Sequence, residues 1–556
     1  MKDYEEAIEF LGVWGPFQRL TFIVLSLNVI PNGYLPLSMV FLGDISPHHC
    51  RVPFLNSSYG GLGYNLSIPT EELKGEIILS RCRRYTEKKD SYSAYSNDTE
   101  GCVDGWVFSK ERYVSTIVTE WNLVCDDAWK APFPATAFFF GELVSSFVSG
   151  ILSDRYGRKI TFFSAKVLQI LLGFLLAVST SWEMFCVLYF ALGVASSSLY
   201  CTGFVLGAEI LIKSARETFG SMGFALFFGI GYAIMPVLSY FNRDWRTLQI
   251  VLSVVVVFIF TPLFWYIPES PRWLITQGRL NEAEAIIRAA AKRNGITSPE
   301  KIFQLEHIAD TKESENESNN QKKYTWLDLI KTANVRNITV LNIIIWLAIS
   351  VGFYGLSLNF SNMDGDLYRN NLLSASMDIL GNVFVWFAIH YAPHRVVLPF
   401  SLLVEGALLL LILFVPQELS GVTITLALIG RLVVAGAFAF AFVYATELFP
   451  TVIRNMGLSA ASAAARIGSA VSPYVAHTST YNKTLPFILM GTLSIFSGGL
   501  SLLLPETKDE KLPELISQVK PLQCCCLKIR FDERNIEDGH VDTATQTTGR
   551  EADVKI

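Results

Sequence analysis

The decapeptide GAEILIKSAR, residues 207–216, returns later in the chain as ATELFPTVIR, residues 445–454. In each copy a glutamate precedes an arginine by seven positions, and these glutamates, Glu209 and Glu447, lie 238 residues apart. The strings IPESPRW and LPETK form a second pair, whose glutamates lie 237 residues apart. Two independent motif pairs with nearly the same offset indicate a duplicated unit.

The composition indicates that the duplicated unit lies in a lipid bilayer. Hydrophobic residues make up 51% of the chain and charged residues 17%, against about 25% charged residues in ordinary soluble domains. The mean hydropathy is +0.36, and the net charge of −5 argues against a nucleic-acid partner. Segments of about 20 apolar residues, each long enough for one bilayer crossing in contact with membrane lipid, are centred near Asn28, Glu142, Gln169, Leu192, Phe227, Val255, Trp346, Val383, Leu408, Ala435, Arg466 and Ser494.

These segments predict an all-α polytopic membrane protein with 12 transmembrane helices in two six-helix bundles. A parallel repeat of six helices is the arrangement of the major facilitator fold, in which substrate binds between the halves. The predicted divisions are a cytosolic N-terminus at 1–19, an N-terminal bundle at 20–268 with an extracellular loop at 43–130, a cytosolic linker at 269–336, a C-terminal bundle at 337–505 and a cytosolic tail at 506–556.

The loop at 43–130 combines features of an oxidising, glycosylated exterior. Short basic strings such as DRYGRK and KSAR lie on the opposite side and obey the positive-inside rule, which places both termini in the cytosol and the loop outside the plasma membrane. Two disulfides are expected, with three pairings open. The residues concerned are Cys50, Cys82, Cys102 and Cys125, with glycosylation sequons at Asn56, Asn65 and Asn97.

The string GILSDRYGRK, residues 150–159, resembles the loop motif G-x-L-[SA]-D-R-x-G-R-[KR] of the major facilitator superfamily. Acidic and basic residues recur together at the same helix ends, which favours a cytoplasmic gate over topology signals alone. The gate is predicted to contain Asp154, Arg155, Arg158, Glu209, Arg216, Glu269, Glu447, Arg454 and Glu506.

Four further strings, FLGVWGPFQRL, STIVTEWNLVCDDAWKAP, IPESPRWLITQGR and ATELFPTVIRNMG, resemble the organic ion branch of that superfamily. The opening MKDYEEAIEFLG and the string GLSLN are most similar to the carnitine and organic cation carriers of the plasma membrane. The resemblance implies a secondary transporter that works by alternating access, with substrates such as carnitine-like, betaine-like or ergothioneine-like zwitterions and cations.

Arg466 is the charge that discriminates among these substrates. It stands where carnitine carriers have an arginine and where typical organic cation carriers have an aspartate, so the resemblance implies a carboxylate-bearing ligand. The planar guanidinium can donate two hydrogen bonds to a carboxylate and keeps its charge. The alternative is a structural arginine that pairs with an acid to hold two helices together.

The cationic part of such a ligand calls for ring faces and acids. Asp378 aligns with a membrane glutamate of the relatives and could attract the cation or pair with Arg466 or Arg431. Glu142 replaces a residue that is usually aliphatic in the relatives, and no role follows from the resemblance. The candidate aromatic residues are Tyr200, Phe228, Tyr232, Trp346, Tyr354, Phe442 and Tyr444.

Sodium is the possible coupling ion, at a site predicted from Asn32, Tyr200 and Glu447. Leu199 stands where the sodium-linked carriers usually have asparagine, which argues against the coupling. The string GAEILIKS has Ile212 at the second glycine position of a phosphate-binding loop, so ATP binding is not expected.

Neither a nucleophile–base pair nor a metal cluster is recognisable, so we expect no enzymatic activity, no metal and no cofactor. The sequence also lacks the charge ring or filter segment of a channel. A polyspecific organic cation uniporter and an organic anion exchanger are the alternatives within transport.

Overall fold

The computed structural model describes residues 4, 8–52, 67–73, 76–87, 95–260, 266–299, 302, 325–508, 513 and 516–522. Each of the twelve predicted segments is a helical span, as the sequence predicts for the major facilitator fold. We number the spans α1 (Pro16–Leu42), α2 (Phe133–Tyr156), α3 (Arg158–Ala177), α4 (Trp182–Ile210), α5 (Phe224–Phe241), α6 (Trp245–Phe260), α7 (Ala333–Asn359), α8 (Leu367–Tyr391), α9 (His394–Leu411), α10 (Ser420–Leu448), α11 (Arg454–His477) and α12 (Leu485–Ser501).

The helix ends follow from local sequence. α1 is helical over Pro16–Leu27, Ile30–Tyr34 and Met39–Leu42 and starts with a proline, whose missing N–H costs nothing in the first turn. Gly157, with φ of 103°, separates α2 from α3, because this backbone conformation is open essentially to glycine alone. The spans α1 and α7 begin before the predicted bundle boundaries of residues 20 and 337.

The polar loop after α1 contains three antiparallel strand pairs. Its strands are β1 (His48–Cys50), β2 (Thr70–Leu73), β3 (Glu76–Leu79), β4 (Arg83–Glu87), β5 (Tyr95–Gly101) and β6 (Trp106–Phe108), paired β1–β6, β2–β3 and β4–β5. Of the three open pairings, the disulfides join Cys50 to Cys102 and Cys82 to Cys125. Asn97 lies on β5, while the sequons at Asn56 and Asn65 fall outside the described residues. We call the end of the helical bundle that carries this loop the disulfide end. The opposite end, which carries the repeated motifs of Glu209 and Glu447, is the motif end.

The segment between the halves is helical over Pro271–Thr276, Leu280–Asn294 and Asp328–Lys331. Ile287 of the longest helix packs against Ile8 and Leu11, and the Asn294 side chain accepts a hydrogen bond from the backbone N–H of Phe17. The predicted N-terminus and linker are therefore packed together at the motif end.

Small residues bring the helices of each half together. A Cβ at Gly141 of α2 or Gly193 of α4 would overlap a carbonyl oxygen of the other helix, so glycine is what permits this spacing. Gly468 of α11 approaches the Leu347 carbonyl of α7 in the same way. Large apolar side chains such as Phe258, 76% exposed, face outward, as expected for helices surrounded by lipid.

Candidate functional site

Arg466 lies on α11, where the two halves meet. Its Nη1 donates to the Ser462 hydroxyl at 2.5 Å and to the Ser462 carbonyl at 3.3 Å. Across the interface, its Nη2 lies 3.5 Å from the hydroxyl of Ser197 on α4. Nε is buried and has no hydrogen-bond partner within the described part of the chain. Among those residues no carboxylate lies within 4.0 Å of the guanidinium, so the structural alternative of an arginine paired with an acid does not match this geometry.

The helix α11 is fixed between α7 of its own half and α2 of the other. The hydroxyls of Ser469 and Ser350 hydrogen bond at 2.8 Å between α11 and α7. The Thr136 hydroxyl of α2 donates to the Ala470 carbonyl at 2.8 Å. These contacts hold Arg466 beside the first half of the duplication.

Glu142 on α2 is the residue to which the resemblance assigns no role, and it lies near Arg466 across the interface. Its carboxylate interacts electrostatically with Arg466, Tyr200 and Tyr354. Its backbone carbonyl accepts a hydrogen bond of 3.4 Å from the same Ser197 hydroxyl that Arg466 contacts. The sequence signal for this position is an acid in the middle of an apolar span, a feature that is rare without function.

Predicted aromatic residues of both halves lie at or near the interface. The ring of Tyr354 on α7 meets that of Phe139 on α2 with centroids 4.7 Å apart, and Tyr200 packs edge-on against Phe224 at 5.0 Å. Phe228 on α5 packs against buried apolar residues of both halves. Together with Glu142 and Arg466, these side chains make the central part of the interface aromatic and charged.

Tyr232 and Phe442 have partners of their own. The Tyr232 hydroxyl on α5 donates to Ser374 at 3.1 Å and to Asn371 at 3.4 Å on α8, so it joins the halves. Phe442 on α10 is 39% exposed and packs edge-on against Trp346 with ring centroids 4.5 Å apart.

Asp378 forms an ion pair with Arg431 in the interior of the second half. The Asp378 Oδ1 lies 3.2 Å from the Arg431 Nη2, and Arg431 also donates to the Phe353 carbonyl at 2.6 Å. Of the two partners that the sequence left open for Asp378, the structure selects Arg431.

Tyr444 lies apart from this cluster, at the motif end. Its hydroxyl donates to the Pro505 carbonyl at 2.7 Å, next to Glu506. Glu447 is at the same end and accepts hydrogen bonds from His394 and Thr507. Asn32 instead exchanges hydrogen bonds with Ser196. The structure therefore does not bring Asn32 and Glu447 together as the predicted ion site requires.

The charged motifs of the first half form a network at the motif end. Arg158 pairs with Glu209 at 3.0 Å and with Asp154 at 2.8 Å. The Glu269 carboxylate accepts hydrogen bonds of 3.0 Å from the backbone N–H groups of Arg158 and Lys159, and so caps α3. A carboxylate is favourable there because the first N–H groups of a helix lack partners within it.

The second half repeats this network with one substitution. Glu506 caps α9 through the backbone N–H groups of His394 and Arg395, at 3.0 and 3.1 Å. Glu447, the counterpart of Glu209, pairs with His394 at 2.7 Å. His394 thus occupies the place that Arg158 has in the first half.

The remaining gate residues make local contacts. Arg155 lies over the Tyr156 ring, Arg216 donates to the Leu211 carbonyl and Arg454 donates to the Phe449 carbonyl. The charged residues form two networks, each of which ties together helices of one half, and their role as a gate stays a prediction.

At the disulfide end, a cavity of about 90 Å³ lies between α1, α2, α7 and α11, lined by residues that include Ala135 and Pro473. One step further along α2 come the Thr136–Ala470 hydrogen bond and the ring contact of Phe139. These contacts lie between the cavity and the Glu142–Arg466 region.

Comparison with known proteins agrees with this architecture. A family profile described as "Sugar (and other) transporter" matches residues 120–518. The chain is 43% identical to the human "Organic cation/carnitine transporter 2" over 531 residues, which cover 93% of this chain and 94% of the relative. It is 42% identical to the mouse "Solute carrier family 22 member 4", over 94% and 96% of the two chains.

Among solved structures, the inward-open xylose transporter XylE from E. coli superposes with a TM-score of 0.56. The match covers 73% of this chain and 93% of XylE at 16% identity, which shows a common fold.

The duplicated six-helix bundles, the paired charge networks and the charged interface between the halves define a multi-pass membrane transporter of the major facilitator fold, and not an enzyme. By sequence, the chain belongs to the Sugar (and other) transporter family.

Proposed function

We propose that this protein is a plasma-membrane secondary transporter of small organic zwitterions, such as carnitine-like, betaine-like or ergothioneine-like compounds. The observation that carries the proposal is Arg466, a charge between the two halves that no acid pairs with at contact distance in the described chain. A ligand carboxylate supplies the missing partner. The name of the 43% identical human relative, which includes carnitine transport, supports the same class.

Alternating access fits the distribution of the contacts. The hydrogen bonds Thr136–Ala470 and Tyr232–Ser374 join the two halves, whereas the ion pairs of Glu209 and Glu447 each lie within one half. Two internally braced bundles that meet at a central site are suited to rocking against each other. The two disulfides support an extracellular loop, since disulfides persist in oxidising compartments.

The test is uptake of radiolabelled carnitine by cells that express Arg466→Ala, with choline as the matched cation that lacks a carboxylate. Loss of two charge-assisted hydrogen bonds at about 1.5 kcal/mol each predicts a fall of roughly 100-fold in kcat/KM for carnitine. Choline uptake should not fall in parallel. Lys110→Ala, an exposed charge in the loop, is the control, and surface labelling normalises expression. Unchanged carnitine uptake in Arg466→Ala would refute the carboxylate assignment.

Sodium coupling is a separate part of the proposal and is measured in the same assay by replacing sodium with potassium. Asn32 is the predicted ion-site residue that lies within the first half and contacts Ser196. If its amide contributes to a sodium site, Asn32→Ala will reduce the sodium-dependent part of the uptake. Uptake that is equal in both salts would exclude sodium as the coupling ion.

A further inference from the structure

Two opposite charges, one from each half, meet in the interface without forming an ion pair. The Glu142 carboxylate on α2 is near enough to Arg466 for electrostatic interaction, yet the two groups are more than the 4.0 Å of an ion pair apart. They also share Ser197, which donates to the Glu142 carbonyl and contacts the Arg466 guanidinium. Both side chains are half-buried in the interface, and neither forms an ion pair with the other.

The Glu142 carboxylate has unused hydrogen-bonding capacity. No described residue donates a hydrogen bond to it, although an ionised carboxylate can accept about four. The residue is half-buried, and it is within range of electrostatic interaction with the hydroxyls of Tyr200 and Tyr354. A ligand group that reaches the carboxylate and carries N–H donors would satisfy it, whereas a carboxylate that stays unpaired in a partly buried position is costly.

A quaternary ammonium cannot meet that requirement. Its positive charge is attracted to ring faces and to anions, but it has no N–H to donate. The acid at position 142 therefore adds something that a trimethylammonium group cannot use fully: directional acceptors for an amine or a guanidinium.

We propose that Glu142 and Arg466 form a two-point site for zwitterions whose cationic group carries N–H donors, so that primary amines and guanidines are preferred over their quaternary analogues. The inference rests on the proposed function, because Arg466 holds the carboxylate in both, and it changes the preferred cationic group from the trimethylammonium of carnitine to one with N–H donors. The amine lies against Glu142 and the carboxylate against Arg466, and the ligand thereby spans the two halves.

The other reading of Glu142 is a distant counter-charge for Arg466 that never touches the ligand. The two readings differ in what they predict for matched substrates. A counter-charge affects every carboxylate-bearing ligand equally through Arg466, whereas a ligand contact discriminates between cations that differ in N–H donors.

The experiment compares radiolabelled carnitine with 4-amino-3-hydroxybutyrate, which has the same carbon chain and a primary amine in place of the trimethylammonium group. Both are measured in the full-length protein, in Glu142→Gln and in Glu183→Gln. Glu183 is an exposed acid in the first turn of α4 at the disulfide end and serves as the matched control. Surface labelling confirms that each variant reaches the membrane.

We expect the unaltered protein and Glu183→Gln to favour the primary amine by at least ~10-fold in kcat/KM. Glu142→Gln should lose roughly 10- to 100-fold for the amine, the range of one or two charge-assisted hydrogen bonds, and less than ~3-fold for carnitine. Glu142→Asp, which keeps the acceptor, should retain the preference for the amine. Equal losses for both substrates, or no loss for either, would overturn the role of Glu142.

Arg466→Ala separates failure of this inference from failure of the proposed function. If that variant loses uptake of both zwitterions while Glu142→Gln does not discriminate, the inference alone is wrong. If both zwitterions enter normally in Arg466→Ala, or neither enters with the unaltered protein, the proposed function is wrong and the inference falls with it.

Discussion

Replacement of Asp378 by asparagine tests whether the buried ion pair with Arg431 is a structural element of the second half. Arg431 is fully buried, and Asp378 is its ion-pair partner, at 3.2 Å. Removing one member of a buried pair costs about 3–5 kcal/mol, because the other charge is left uncompensated. The Phe353 carbonyl remains bonded to the guanidinium, and Glu405 interacts with it electrostatically.

Because these two interactions remain, we expect the free energy of unfolding to fall by about 3 kcal/mol, the lower end of that range, which is roughly 100-fold in the unfolding equilibrium. The assay is thermal unfolding of the purified protein in detergent. Asp364→Asn is the matched control, since its ion pair with Lys483 is exposed on both sides and such pairs contribute about 0–1 kcal/mol.

A double variant, Asp378→Leu with Arg431→Met, completes the test. It removes both charges together, so it should be more stable than Asp378→Asn despite carrying more changes. The reasoning would be refuted if Asp378→Asn unfolded at the same temperature as the unaltered protein, or if the double variant were less stable than Asp378→Asn.

Three further predictions concern stability, each read from the unfolding temperature in detergent. Gly157→Ala should lower the free energy of unfolding by about 1–3 kcal/mol, because φ is 103° and the new Cβ would lie 2.6 Å from the Glu269 carboxylate. Gly150→Ala is the control, since open space surrounds Gly150 and the protein should not be destabilised. Equal effects of the two substitutions would contradict the capping geometry. His394→Arg should stabilise the second network at about pH 8.5, because a histidine is normally neutral at that pH and an arginine stays charged. A lower unfolding temperature of this variant at about pH 8.5 would argue against the equivalence of the two networks. Burial lowers the pKa of His48 in the folded protein, so His48 takes up a proton at a higher pH in the unfolded chain than in the folded one. The protein should therefore become less stable as the pH drops below about 6.5. His48→Gln should flatten this dependence, and an unchanged pH profile would exclude His48 as its source.

The duplication and the twelve spans could be predicted because they depend on local composition and on repeated motifs. A bilayer crossing needs about 20 apolar residues whatever its neighbours are, and each predicted centre falls on a helical span. Arg466 also stood out locally, as a charge among small residues. The disulfide pairing could not be read, because loop connectivity depends on how the strands of residues 48–108 pair.

Glu142 marks the limit of the sequence argument about the site. Its type was visible, but its partner was not, because a lone acid in a span can face lipid, a neighbouring helix or a cavity. Tyr444 and Glu447 show the converse: their residue types suited a ligand or ion site, yet their helix places them at the motif end beside Pro505 and His394.

By itself, then, the sequence determined the lipid environment, the number of helical spans, the internal repeat and the presence of a charged position within the membrane. The tertiary structure decided which charges meet: Asp378 with Arg431, Glu209 with Arg158, and Glu142 opposite Arg466. The physical reason is the range of the interactions. Hydropathy acts on each segment separately, whereas a contact between charges depends on the rotation and spacing of helices far apart in the chain, which close packing of small residues sets.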